Sequence, residues 1–241
     1  MKLYIYCLVK DIDELNGPVL GVSGAPVRLQ KLEELGVLVS DFNADAVPVT
    51  RENAMTHAAV VRSVLDRTTP LPFRFGTLVT EQQLRSYVSA RKPALESNLA
   101  LVRGCVEMGV KIIWPVSKEV SKEKEGLQEP AQGAGATFLA AKRREILGSE
   151  FRAAQANEIS SWLHESVSGL TRDEKVTIQS SERLFLAAAH LVERANLQRY
   201  REKVAAARTA RPDLHFLLSG PWPPYSFANI ELEFKTQFGV S

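Results

Sequence analysis

Cysteine and histidine are scarce in this chain, which has 2 cysteines and 4 histidines among 241 residues. Cys7 and Cys105 are too few for a disulfide framework, and both fall in predicted strands, so we expect two buried free thiols in a reducing compartment. The four histidines lie in four different predicted elements, with no cysteine close to them in sequence. Because a zinc site needs ligands that converge on one point, the sequence predicts no metal centre.

Long hydrophobic runs and a surplus of one charge are also missing. The apolar runs are all shorter than the roughly 20 residues that a transmembrane helix requires. The alternating start KLYIYCLV predicts a strand rather than a secretory signal. The net charge is +2, from 30 basic and 28 acidic residues, which is too balanced to indicate nucleic-acid binding. We therefore expect no membrane or nucleic-acid partner, and a cytoplasmic protein.

The common catalytic and phosphate-binding motifs are absent as well. The chain has no Gly-x-Ser-x-Gly elbow, no Gly-x-Gly-x-x-Gly loop and no Walker A loop. The sequence therefore predicts no catalytic residue, no cofactor and no enzymatic activity. An enzyme whose active site follows no known motif is the alternative, and a cleft with strongly perturbed titratable groups would support it.

What is present is a succession of short strands and amphipathic helices. Thr50 and Thr80 are predicted helix caps, the second within a capping box that ends at Gln83. The predicted elements of the first half are strands at 2–9, 27–31, 36–42, 73–79 and 105–114, and helices at 51–66 and from residue 81 to Gly104.

A change in composition at residues 117–135, first charged and then rich in Gly, Pro and Gln, predicts a linker. It separates a domain at 1–116 from a domain at 136–241. The predicted elements of the second domain are a long helix at 137–167, a hairpin of 174–180 with 183–191, a helix at 194–209 and a strand at 214–219. The fold class is therefore α+β, with two small domains that we predict to be ferredoxin-like and a long helix leading into the second.

Arg74 is a charge on a predicted apolar strand, within PFRFG, and Glu107 lies on the predicted partner strand, within CVEMG. A buried charge is costly unless it is paired, so the sequence predicts a structural ion pair between them. The alternative is that Arg74 binds an anion or a partner protein.

The segment PWPPYSF near the end of the chain combines a proline-fixed backbone with three large rings. One interpretation is that these rings close the C-terminal core, which we favour for Phe227. The other is a contact surface for a second protein, for which Trp222 and Tyr225 are the candidates.

The predicted helix at 194–209 is rich in cations, but Glu193 directly precedes it and Glu202 lies within it. Most of it is expected to be a solvated face, and RNA binding is a weak alternative because no aromatic residues alternate with the charges. The cations are Arg194, Arg199, Arg201, Lys203 and Arg208.

Several of these segments, taken in order, resemble the gas vesicle protein F/L family. The segment PLPFRFGTLVTEQQL followed by GCVEMGVKIIW is similar to the centre of that family's pattern, and KLYIYCLV, RENAMTHAAVVRSVL and LLSGPWPPYSF are similar to its start, first helix and closing motif. The resemblance covers about residues 2 to 228. It implies a minor structural or assembly component of the gas vesicle, without enzymatic activity.

The resemblance further implies the partners. These would be the small hydrophobic shell protein and other accessory gas vesicle proteins, with the chain cytoplasmic and associated with the vesicle. A small-molecule-sensing regulatory module is the alternative function, because paired ferredoxin-like domains often bind small ligands. A pocket with converging polar groups would favour that alternative.

Overall fold

The computed structural model describes residues 2–113, 153–178 and 184–230. Four helices and nine strands lie within these ranges. In chain order they are β1 (Lys2–Val9), β2 (Arg28–Leu32), β3 (Leu35–Phe42), α1 (Arg51–Ser63), β4 (Leu71–Pro72), β5 (Leu78–Val79), α2 (Glu81–Val102), β6 (Cys105–Ile113), α3 (153–167), β7 (Thr171–Ile178), β8 (Leu184–Glu193), α4 (Leu197–Ala210) and β9 (His215–Trp222).

Two sheets confirm the α+β class. The first has the order β2-β3-β1-β4, with β5 also pairing with β1, and the second has the order β7-β8-β6-β9. In the second, the sequence β6-α3-β7-β8-α4-β9 with this strand order is the ferredoxin-like topology. The first sheet has the same order, but a loop with a single 3-10 turn at Val22–Gly24 takes the place of the first crossover helix.

The chain divides into two compact units. The first consists of residues up to Glu107 together with the segment that begins at Pro221, and the second runs from Met108 to Gly220. The predicted division differs from this in two places. The strand at 105–114 was assigned to the first domain but forms a central strand of the second sheet, and residues from Pro221 onward group with the first unit rather than with a domain at 136–241.

Each unit has its own hydrophobic core, which explains the placement of β6. Met108, Val110 and Ile112 are fully buried and pack against apolar residues of α3 and α4. In the first unit, β1 is buried along almost its whole length, and Tyr4 and Tyr6 pack against Val60 and Val61 of α1. The sequence predicted a strand at 105–114, which the structure confirms as Cys105–Ile113, but not which sheet it joins.

The helix starts follow their predicted caps. Thr50 Oγ1 accepts a hydrogen bond from the Asn53 amide at 3.1 Å, and Thr80 forms the full capping box with Gln83. Helix α2 continues through Pro93 without a break. No helix in the described ranges is long and apolar enough to cross a membrane.

The predicted strand at 73–79 is instead two short strands, β4 and β5, joined by a turn. Gly76 has φ +82, a left-handed conformation that favours glycine, and it interrupts the extended backbone. The predicted linker at 117–135 and the part of the predicted long helix before residue 153 lie outside the described residues.

Candidate functional site

The closing segment is held on the first unit by the carboxylate of Glu107. The Ser226 backbone amide donates to Glu107 Oε2 at 2.7 Å, and the Ser226 hydroxyl donates to Glu107 Oε1 at 2.7 Å. Both carboxylate oxygens are therefore satisfied without a cation. Hydrogen bonds to an ionised acceptor are among the stronger ones in proteins, so Glu107 is a firm anchor for this segment.

A second anchor is Asn98, which lies on the buried face of α2. Its Nδ2 donates to the Phe227 carbonyl at 2.9 Å, and its Oδ1 accepts from the Asn229 amide at 2.8 Å. Phe227 is fully buried, as predicted for a ring that closes a core, although the core belongs to the first unit. We call residues 221–229 the strap.

The strap leaves two of its three rings on the surface. Trp222 is 44% exposed and Tyr225 is 40% exposed, whereas Pro223 and Pro224 between them are buried. The Arg62 guanidinium lies 5.8 Å from the centroid of the Trp222 ring, a cation–π contact that fixes the ring beside the end of α1. The anchored strap therefore presents two aromatic side chains in a defined position.

Helix α1 of the same unit exposes a row that combines apolar and basic side chains. Its outward row at positions i, i+4, i+7 and i+11 consists of Arg51, Met55, Ala58 and Arg62, all exposed. Met55 is 61% exposed. We call Trp222 and Tyr225, together with the Arg62 side chain that contacts Trp222, the aromatic surface.

The structure does not bring Arg74 and Glu107 together as an ion pair. Arg74 lies in the turn between β4 and β5 and its residue is exposed, so its charge is solvated and needs no carboxylate. Its backbone carbonyl accepts from the Thr77 amide at 3.3 Å and from the Thr77 hydroxyl at 2.6 Å.

An Arg74→Ala variant is consequently expected to change the free energy of unfolding by less than about 0.5 kcal/mol, as for an ordinary surface position. Urea unfolding of the variant beside wild type checks this. A loss of several kcal/mol would instead support the interpretation that Arg74 forms a buried ion pair with Glu107.

A buried aromatic cluster lies at the centre of the first unit. The Tyr4 hydroxyl hydrogen-bonds His57 Nδ1 at 2.9 Å, and the Tyr6 hydroxyl hydrogen-bonds Ser40 Oγ at 2.9 Å. Burial lowers the pKa of His57 from 6.5 to about 4, partly opposed by the backbone carbonyl of Phe73. His57 is therefore neutral at physiological pH and serves as a core residue.

A similar cluster joins β7, β8, α3 and α4 in the second unit. His190 Nδ1 hydrogen-bonds the buried Tyr200 hydroxyl at 2.6 Å, and Glu174 Oε1 contacts His164 Nδ1 at 2.8 Å. Burial lowers the pKa of His190 to about 4, with Glu174 opposing and His164 adding to the effect. In the exposed His164, the Glu174 carboxylate raises the pKa instead.

Two further features bear on the alternatives of an enzyme or a ligand sensor. Within the described ranges, no group of three or more His, Cys, Asp or Glu side chains is placed to hold a metal ion. A shallow cleft on the first unit has a volume of about 110 Å³, against roughly 300 Å³ or more for typical ligand sites. Its charged lining includes the ion pairs Lys10–Glu96 and Arg103–Asp11, so its charges are already matched within the cleft.

Comparison with known proteins gives the family. The model of the gas vesicle synthesis protein GvpL/GvpF family matches residues 2–229, which is nearly the whole chain. The chain belongs to this family. Its members' names identify them as gas vesicle proteins, and the chain is accordingly a gas vesicle component.

Relatives of both F and L type are similar to it over nine-tenths or more of their lengths. Gas vesicle protein L2 of Halobacterium salinarum is 28% identical, with 93% of this chain and 90% of that protein covered. Gas vesicle protein L of a Streptomyces species is 26% identical, covering 95% and 94%. The crystal structure of GvpF from Anabaena sp. PCC7120 has the same fold, with a TM-score of 0.79 at 18% identity, covering 96% of this chain and 99% of that one.

Sequence reasoning found the two exposed rings of the family's closing motif but missed what anchors them. Asn98 follows Leu95 and precedes Leu99 and Val102 on the buried stripe of α2. A polar side chain on such a stripe needs a buried partner, and this was the available signal. The sequence does not indicate that the partner lies about 130 residues further along the chain.

Proposed function

We propose that this chain is a minor structural or assembly component of the gas vesicle that acts in the cytoplasm and binds the small hydrophobic shell protein during vesicle formation. Membership of the GvpL/GvpF family supports the gas vesicle role. The observation that carries the choice of partner is the aromatic surface, where an anchored strap keeps Trp222 and Tyr225 exposed.

The physical argument concerns the state of the shell protein before assembly. An apolar subunit that is not yet in the vesicle wall exposes surface prone to aggregation, and a folded protein that covers this surface keeps the subunit available. Aromatic side chains held in fixed positions suit this task, because little conformational entropy is lost when they are covered.

The proposal predicts that the double variant Trp222→Ala, Tyr225→Ala binds the shell protein at least about tenfold more weakly than wild type. Binding by wild type is expected to persist from about 0.05 M to about 0.5 M salt, because salt screens exposed charges but does not weaken apolar burial. Co-expression of the two proteins with a tag on this chain, followed by affinity capture and quantitation, measures both effects.

Leu217→Ala is the matched control, since Leu217 is a 54% exposed apolar residue on β9 of the second unit. It should retain wild-type binding, and thermal melts of all three proteins establish that they are folded. Two results would contradict binding through the aromatic surface. One is loss of binding at the higher salt concentration, and the other is a control variant that binds as weakly as the double variant. Absence of binding by wild type would remove the shell protein as a direct partner.

A further inference from the structure

Helix α4 carries an arrangement of charge that is unfavourable for the helix itself. Four exposed cations, Arg199, Arg201, Lys203 and Arg208, lie within ten residues, against a single acidic residue, Glu202. Among the described residues, none of these four forms an ion pair, and the Glu202 carboxylate instead accepts from the Gln198 amide at 2.9 Å.

Two physical effects oppose this arrangement. The N-terminal end of a helix is electropositive, yet the first turn of α4 contains no acidic residue and does contain Arg199. Arg199 and Lys203 are also spaced i, i+4, where like charges repel each other on adjacent turns. Neither effect is offset by a capping side chain, because Asn196 makes no such hydrogen bond.

The other helices with described first turns each have an acidic residue there. Helix α1 has Glu52 in its first turn and Arg62 in its last. Helix α2 has Glu81 in its first turn, paired at i, i+4 with Arg85 at 2.7 Å. A local rule that is obeyed in two helices and broken in a third points to a requirement other than stability at the third.

The position of α4 makes its cations a fixed surface. Tyr200, Val204 and Ala207 are buried against the second sheet, and the Tyr200 hydroxyl is hydrogen-bonded to His190. With these residues facing inward, helical geometry places Arg199 and Lys203 along one flank of the helix and Arg201 and Arg208 along the other. Arg201 and Arg208 are seven residues apart, which is about 10 Å along the helix axis. The exposed residues between the flanks are Gln198 and Glu202, which are hydrogen-bonded to each other, and the small Ala205, Ala206 and Thr209.

We propose that α4 is a docking surface for an acidic segment of another protein. Charge complementarity requires a partner rich in Asp or Glu, since the four cations have no counter-ions on the chain's described part. The exposed side of α4 has no aromatic ring on which nucleic-acid bases could stack and no large apolar side chain to enter a lipid surface. This surface is separate from the aromatic surface and differs from it in the kind of contact it makes.

The test uses the full chain and poly-L-glutamate as a model acidic segment. Replacement of the four cations by glutamine is expected to weaken binding by at least about tenfold at about 0.05 M salt, and wild-type binding is expected to fall steeply towards about 0.5 M. The matched control replaces four cations that do form ion pairs, Arg28, Lys31, Arg85 and Lys92, and so changes the net charge by the same amount.

A second readout separates a docking role from a structural one. The α4 variant should melt at the same or a higher temperature than wild type, because repulsion and the unfavourable first-turn charge are removed. Equal binding by the α4 variant and the control would overturn the proposal, as would a large fall in melting temperature of the α4 variant. Polyuridylate or anionic vesicles bound through the same four residues, without binding of polyglutamate, would also overturn it.

Discussion

The free energy of unfolding is expected to fall by several kcal/mol as the pH is lowered from about 6.5 to about 4. His57 and His190 are 3% and 1% exposed, and burial lowers the pKa of each from 6.5 to about 4. Between these two pH values the unfolded chain binds protons that the folded chain does not, so acid favours unfolding. The change corresponds to about 3 kcal/mol for each histidine near pH 4, and the loss becomes negligible as the pH rises above about 7.5.

The single variants His57→Gln and His190→Gln should each remove about half of the dependence of the unfolding free energy on pH, whatever their stability at neutral pH. His164 should act in the opposite direction. Its pKa is raised by Glu174, so its contribution is present below pH 6.5 and is lost as the pH rises through its folded pKa. His164→Gln is therefore expected to make the protein slightly more sensitive to acid.

Urea unfolding at a series of pH values between about 7.5 and about 4.5 measures these slopes. Because Asp13 and Asp213 have pKa values below their usual range, the stability they contribute is lost only below that window. A flat dependence in wild type, or an unchanged slope in both buried-histidine variants, would show that the folded state does not lower the pKa of these side chains.

The variant Asn98→Ala is expected to destabilise the protein by about 1–3 kcal/mol and to release the strap. The substitution removes a buried hydrogen bond to the Phe227 carbonyl and a second hydrogen bond to the amide of the exposed Asn229, and loss of a buried hydrogen bond costs about 1–3 kcal/mol. Urea unfolding measures the cost, and hydrogen exchange at residues 225–229 measures the release.

Ser97→Ala is the control, since Ser97 is the exposed neighbour on the same helix and should behave as wild type. Glu107→Ala should also speed exchange at Ser226, because it removes the acceptor of both Ser226 hydrogen bonds. Unchanged exchange in the strap of both Asn98→Ala and Glu107→Ala would mean that packing of Phe227 alone holds the segment.

Local features of the fold could be predicted from the sequence because their causes are local. Thr50 and Thr80 cap the helices they precede, and the hairpin of β7 and β8 follows from two strand-like runs separated by a short serine-containing segment. The family resemblance was confirmed by a match over residues 2–229. The exposure of Trp222 and Tyr225 agrees with a contact role, which remains a prediction.

Features that depend on distant residues could not be predicted in the same way. The apolar run of β6 is compatible with either sheet, and only the packing of Met108 and Ile112 against the second core decides between them. Glu107 was matched with a cation because charge reasoning favours an ion pair, whereas a backbone amide and a hydroxyl from Ser226 satisfy it. The φ of +82 at Gly76 breaks a run whose composition is typical of a continuous strand.

The strap has a consequence for the order of events during synthesis. The second unit is inserted into the first, because the chain leaves the first unit at Glu107 and returns to it at Pro221. On the ribosome, Asn98 and Glu107 emerge long before residues 226–229. The first unit is therefore expected to stay incomplete, with these two side chains lacking their strap partners, until the second unit has been synthesised. A prematurely terminated chain would lack Trp222 and Tyr225 altogether, and only finished molecules would therefore recruit a partner through the aromatic surface.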